Sequence, residues 1–167
     1  NPSDMCVAMA ALEATIHVQM PTGMRAIPFG DFHLLPGDTP DRETVLEPGD
    51  LITHVTLPPP IAGSRQVYLK LRDRASYEFA LASAAVVVNV TGGKMSRVRI
   101  ALGGVGTKPW RSPEAEAALV GQPASEANFR KAAEAALREA KPQSENGFKI
   151  ELGKRCLTHA LKMAAAV

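Results

Sequence analysis

The sequence predicts an α+β fold in which a three-stranded antiparallel sheet is covered on one face by helices, with a smaller unit of strands and loops before it. Three observations predict it. Residues 66–102 hold three segments with strand signatures, the last two joined by a short Thr91-Gly92-Gly93-Lys94 turn. Beyond residue 125, apolar residues recur at helical spacing. Between the two units, Pro58-Pro59-Pro60 followed by Ala62-Gly63-Ser64 makes a connection that is stiff and then flexible. Strands first and helices after is the order of an α+β arrangement.

In chain order, Ser3 or Asp4 caps a helix that Met5, Val7, Ala8, Ala11 and Leu12 carry to about Ala14. Residues 15–20, TIHVQM, alternate as a strand. Pro21-Thr22-Gly23 turns the chain, and residues 24–27 return as its partner. Residues 28–48 are rich in proline, glycine and charge, and read as loop with one helical turn near residues 29–33. A strand over 51–57, LITHVTL, ends at the proline triplet. After the linker come strands over 66–72, 82–90 and 97–102. Ser125 then caps a helix with Phe129, Ala132, Ala133, Ala136, Leu137 and Ala140 on one face. A last helix from about Lys149 sets Leu157, Ala160, Leu161 and Ala164 on one stripe.

Composition excludes several functions. The 19 basic and 17 acidic residues leave a net charge of +2, with no basic patch interleaved with aromatics, so a nucleic-acid footprint is absent. No apolar run reaches the ~20 residues that span a bilayer, and no signal peptide is visible. Cys6 and Cys156 stand apart without CxxC spacing and read as buried thiols of a reducing compartment. The four histidines lack ligand spacing, so no metal site is expected. Gly103, Gly104 and Gly106 precede Pro109 and not a helix, which favours a tight turn over a phosphate cradle. No nucleophile and base share a motif, so redox chemistry in this chain has to come from a cofactor. The chain opens at Asn1 without a methionine, inside a helix cap, as a fragment or processed piece would.

The most informative stretch is 68–90. Val67, Leu69 and Leu71 alternate with Tyr68, Lys70 and Arg72, giving a half-buried strand. A charged knot follows, Arg72, Asp73 and Arg74, with Tyr77 and Glu78 behind it, and then a buried Ala/Val strand. Two readings of the knot stay open: a solvated turn with local ion pairs, or a ligand-facing loop held by rigid strands.

KLRDRASYEFALASAAV in this stretch, with ALGGVGTKPWR at 101–111, resembles the FAD-binding (medium) subunits of the molybdenum hydroxylases: bacterial xanthine dehydrogenases, carbon monoxide dehydrogenases and aldehyde oxidoreductases. DFHLLPGDTPDRETVLEPGDLI at 31–52 and NGFKIELGKR at 146–155 are similar to the aldehyde oxidoreductase branch. The resemblance implies that residues 1–58 are the C-terminal part of the second FAD-binding subdomain, 59–64 a linker, and 65–167 the C-terminal domain of the flavoprotein subunit. It implies FAD as cofactor in an incomplete site, since the glycine-rich phosphate loop belongs to the other half of such subunits. It also implies a molybdenum cofactor and iron–sulfur clusters on partner subunits or upstream sequence. The partners would be a molybdenum-binding large subunit, a two-iron two-sulfur small subunit and the N-terminal half of the same subunit, with neither nucleic acid nor membrane. The location would be the cytoplasm, or the periplasm through a partner subunit. Residue by residue, Asp4 matches an aspartate that accepts hydrogen bonds from the ribityl or ribose side of the flavin, Ile52 a strand residue at the ring edge, and Lys70 a strand lysine whose charge offsets negative charge on the reduced ring. Tyr77, with Glu78 beside it, matches a loop near the reactive edge. The rival function is a non-catalytic α+β protein-interaction domain. Read as a linker, the proline triplet and its glycine should be the first site of limited proteolysis, near residues 61–65; first cleavage inside residues 82–90 would contradict that reading.

Overall fold

The computed structural model describes residues 1–165. The first helix, α1 (Asp4–Ala11), starts where the Ser3 hydroxyl accepts the Cys6 N–H at 3.2 Å, satisfying one of the free amides of the first turn. It ends earlier than its apolar residues suggest, because Glu13 takes a left-handed backbone (φ 56°) that no helix continues. Strand β1 (Thr15–Met20) lies between β2 (Gly23–Pro28) and β3 (Leu51–Thr56), both antiparallel to it. Ile16, Val18 and Ile27 turn inward to join Val7, Ala10 and Ala11 of α1, and Phe29 and Phe32 close this small core from a 3-10 turn at Phe29–Asp31. Every residue of β3 is exposed, as an uncovered edge strand would be.

The second sheet runs β4 (Ser64–Leu71), β5 (Ala82–Thr91), β6 (Lys94–Gly103) and β7 (Trp110–Arg111), all antiparallel. The three expected strands are there. The fourth, β7, is two residues long, too short to show a period in the sequence. Helices α2 (Pro113–Leu119), α3 (Glu126–Ala136) and α4 (Phe148–Ala165) cover one face. Ser112 and Ser125 cap α2 and α3 through their hydroxyls, and Pro113 takes the first-turn position it suits. Val86, Val88, Ile100 and Leu102 point from the sheet into this core, meeting Phe129, Leu157 and Leu161. Each such buried side chain contributes roughly 1.5–3 kcal/mol, so this is the main store of stability.

The other face of the sheet carries α1. Alternation along β5 and β6 puts Ser83, Ala85, Ala101 and Gly103 on that side, with Ser83 opposite Gly103 and Ala85 opposite Ala101. Four small residues make a flat bed that lets the helix approach closely. A Cβ on Gly103 would run into the Val7 side chain and come within 2.5 Å of the Ser83 hydroxyl. At the C-terminal end of α1, Arg111 Nη1 donates to the Ala10 carbonyl at 2.7 Å, a cation on the last turn of the helix. Arg99 and Arg111 also lie 2.9 and 3.6 Å from the Glu13 carboxylate. Behind them the buried Glu116 accepts from the Ile100 amide at 2.9 Å and from Arg111 Nη2 at 2.8 Å. Helices therefore cover this sheet on both faces, α2–α4 on one and α1 on part of the other. Gly103→Ala is expected to cost about 1–3 kcal/mol by forcing helix and sheet apart. The melting temperature should fall by several degrees, at about 2–4 °C per kcal/mol for a chain of this size. An unchanged melting temperature would show that α1 has room to spare.

Candidate functional site

At the N-terminal end of α1 the Asp4 carboxylate is held on both oxygens. Tyr68 Oη donates to Oδ1 at 2.8 Å, and Lys70 Nζ donates to Oδ2 at 2.8 Å. Both donors come from β4, which sends Val67, Leu69 and Leu71 to the helical core and presents Tyr68 and Lys70 on the opposite face. Burial pushes the Asp4 carboxyl up, but the Lys70 and Tyr68 hydrogen bonds, with the Lys70 and Arg72 charges, outweigh it and hold the group below its ordinary range. Burial, reinforced by the bond to Asp4, pushes the Tyr68 phenol above its own range, so it stays a donor. Lys70 is not the solvated lysine that its outward position allows: its side chain is 18% exposed, against 48% for Asp4.

Asp4 opens onto a cleft of about 150 Å³ walled by Val7, Phe79, Ala80, Ser83 and Gly104. Two features shape it. Gly104 has φ 72°, and a Cβ there would lie 2.7 Å from the Ala80 carbonyl, so only glycine lets the 79–81 segment seat itself. Lys149, at the start of α4, donates to the carbonyls of Leu81 at 2.9 Å and Gly104 at 3.0 Å, tying segment and turn together. The buried Ser83 hydroxyl on the cleft wall faces the Tyr68 phenol without a well-formed hydrogen bond, and Phe79 stands at the rim 67% exposed.

The structure brings Asp4 and Lys70 together and leaves the other two candidate residues apart from them. Tyr77 is 94% exposed outside the cleft, with a left-handed backbone (φ 54°). Its carbonyl accepts from Arg74 Nε at 3.1 Å, and the Arg74 guanidinium lies 5.9 Å from its ring centre. Arg74 pairs with Glu78 at 3.3 Å, so part of the charged knot is a local ion-pair turn. Ile52 belongs to the first sheet, on β3 opposite Val18, and is 43% exposed. Tyr68, Phe79, Ser83 and Lys149 belong to the site but were not singled out by the sequence. Only Tyr68 had a usable signal, since it shares a strand face with Lys70 two residues away.

Other groups assemble without evident chemistry. A cleft of about 350 Å³ lies between the 29–35 segment and β7, walled by Phe29, His33, Leu35, Lys108 and Trp110. Burial, with Lys108 nearby, pushes His33 below its ordinary range, keeping the ring neutral. His17 and His54 stack in parallel at 4.1 Å across β1 and β3, a geometry in which their lone pairs do not converge on one ion. Among the described residues no group of three or more His, Cys, Asp or Glu side chains is placed to hold a metal. Burial pushes the Cys156 thiol up to about 12, which makes it inert, while Cys6 is half-buried. No helix of the described residues is long and apolar enough to cross a membrane.

Comparison with known proteins fits this architecture. Residues 67–164 match the CO dehydrogenase flavoprotein C-terminal domain, and residues 1–60 match the FAD binding domain in molybdopterin dehydrogenase. The aldehyde oxidoreductase FAD-binding subunit PaoB of Escherichia coli (strain K12) is 44% identical over 167 residues, which is 99% of this chain and 49% of that protein. The glyceraldehyde dehydrogenase medium chain of Sulfolobus acidocaldarius is 34% identical over 72% of this chain and 40% of its own length. Among solved structures, the Cu,Mo-CO dehydrogenase in its cyanide-inactivated form superposes with a TM-score of 0.88 at 29% identity, covering 98% of this chain and 56% of that one. Quinoline 2-oxidoreductase from Pseudomonas putida 86 gives 0.85 at 27% identity, covering 99% and 56%. The chain thus spans about half the length of the curated relatives it matches. With well over half of its residues inside that one domain match, the chain belongs to the CO dehydrogenase flavoprotein C-terminal domain family.

Proposed function

We propose that this chain forms part of the FAD-binding subunit of a molybdenum-containing hydroxylase of the aldehyde oxidoreductase or xanthine dehydrogenase type, in which electrons pass from iron–sulfur clusters through FAD to an acceptor. The observation that carries the reading is the Asp4 carboxylate, fixed by Tyr68 and Lys70 at 2.8 Å each and set at the mouth of a cleft. The residues present fit the polar side of the dinucleotide. An ionised carboxylate accepts from sugar or ribityl hydroxyls, a cation stands beside it, and the buried Ser83 hydroxyl has a bond to spare. The cleft holds a portion of FAD, and the remaining walls come from the rest of the subunit. When bound, FAD supplies the ring that carries electrons. In this reading Asp4 binds and orients, Lys70 supplies fixed positive charge, Phe79 offers an apolar rim, and Tyr77, outside the cleft, packs against the part of the ring that lies beyond it. Ile52 reaches the ring edge from the first sheet.

Residues 1–58 are then the end of the second FAD-binding subdomain, 59–64 a linker and 65–167 the C-terminal domain. The molybdenum-binding large subunit, the two-iron two-sulfur small subunit and the remainder of this subunit are its partners, in the cytoplasm or carried to the periplasm with a partner. The rival function, a protein-interaction domain without a cofactor, has only the exposed β3 strand in its favour, and that strand equally suits contact with the rest of the subunit.

Lys70→Met in the intact enzyme tests the reading. The substitution keeps the aliphatic stem, removes the cation and leaves the Asp4 charge uncompensated. The flavin midpoint potential is expected to fall, by about 20–45 mV for each 1–2 kcal/mol of lost stabilisation in a two-electron couple. Redox titration of wild type against variant reads it directly. An unchanged potential with full FAD content would remove Lys70 from the flavin's surroundings.

A further inference from the structure

We infer that Tyr68 is a positioning residue of this site: its phenol fixes the Asp4 carboxylate against β4, so that Asp4 faces the cleft ionised and in one orientation. The inference rests on the flavin reading above and gives Tyr68 a role of its own within it.

The geometry argues for it in three steps. Tyr68 and Lys70 are two apart on one strand face, roughly 6.5–7 Å along the strand, and Asp4 bridges them with one oxygen each. A carboxylate that is half exposed and held by a lysine alone keeps its rotational freedom, because the ammonium is a point charge on a flexible stem. A second donor on a stiff aromatic ring removes that freedom. The ring stands on the sheet beside its cross-strand partner Ala85 and lines, with Ala8 and Leu12 of α1, a cleft of about 250 Å³. Tyr68 therefore reads the position of the helix end and returns it to the carboxylate.

The charges that face Asp4 are few. Lys70 lies on β4 and Arg72 just beyond its end, and both favour the ionised form. In the following loop Arg74 and Glu78 are paired with each other. Strand β5 brings only the neutral Ser83, Cys156 behind β4 stays a thiol, and Arg99 and Arg111 serve the far end of α1. Loss of the phenol donor thus raises the Asp4 carboxyl towards its ordinary range, and acid should release the flavin at a higher pH than in wild type.

The experiment uses the full-length subunit in its assembled, deflavinated enzyme, with FAD titrated back at neutral pH and then at falling pH. Tyr68→Phe keeps the ring and its place on the sheet. It is expected to weaken FAD binding about 3- to 10-fold, the worth of one hydrogen bond, and to move acid release upward. Asp4→Asn is expected to weaken binding and flatten the acid response, and adding Tyr68→Phe to it should change neither further. A Tyr68→Phe enzyme with wild-type affinity and acid profile would overturn the inference. So would an equal Tyr68→Phe effect in the Asp4→Asn background, since the phenol would then act elsewhere. If Asp4→Asn binds FAD as wild type does, the flavin reading itself fails, whatever Tyr68 does.

Discussion

The seating of α1 on the second sheet is the contact from which the rest of the structure follows. Its centre is steric: Ser83, Ala85, Ala101 and Gly103 leave room for Val7, Ala10 and Ala11. Its ends are electrostatic and match the helix dipole, with an acid at the N-terminus and a cation on the C-terminal carbonyls. The two ends differ in what they contribute. Glu116 is buried among Arg111, Arg99 and the Ile100 amide, and removing one partner from a buried ion pair costs about 3–5 kcal/mol because the other charge is stranded. The Asp4–Lys70 pair is partly solvated, where such pairs contribute at most about 1 kcal/mol. Single substitutions are thus costlier at the Arg111 end of the helix. The Asp4 end, nearer the cleft, is the cheaper one to alter for chemistry.

That asymmetry bears on how the site works. A lysine already paired at 2.8 Å is a tethered cation and not a free one, so its effect on a bound group is the field of a dipole with Asp4. What the pair offers is direction: an acceptor towards hydroxyls and a donor towards negative charge, both fixed to β4. The adjoining wall is held just as firmly. Lys149 ties Leu81 to Gly104 across 68 and 45 residues of sequence, while the loop tip at Tyr77 stands exposed outside the cleft.

Much of this was legible in the sequence, and the remainder was hidden for physical reasons. Strict alternation over 67–72 placed Lys70 and Tyr68 on the outward face, and the strand forms as that pattern requires. Ser3 and Asp4 were readable as a helix start because capping is a local property. That Asp4 and Lys70 touch was not legible, since a contact between residues 66 apart depends on how α1 lies across the sheet. Gly103 and Gly104 looked like one tight turn. Only Gly104 needs its left-handed backbone, while Gly103 sits in the strand and is small because Val7 presses on it. The Trp110-Arg111 pair, part of the motif that carried the family resemblance, serves the fold: Trp110 Nε1 donates to the Ala136 carbonyl at 3.0 Å, and Arg111 caps α1. A motif read from sequence alone does not separate residues that hold a site from residues that touch its ligand.

The proline triplet marks where one sheet gives way to the next, yet it does not set how the two sheets lie. Residues 57–60 are exposed and contribute to neither buried core. The first sheet shares its small core with α1, and α1 lies on the second sheet; Ala85 and Ala101 belong to the same cluster as Ile16, Val18 and Phe29. One short helix is therefore the common element of both units. Its sequence has to satisfy two cores, the bed of small residues and the carboxylate at its N-terminus. A change of one methyl group at Gly103 acts directly on the contact that joins the sheets. The coupling between fold and site lies in α1, and the connection that looks like a boundary in the sequence plays the lesser part.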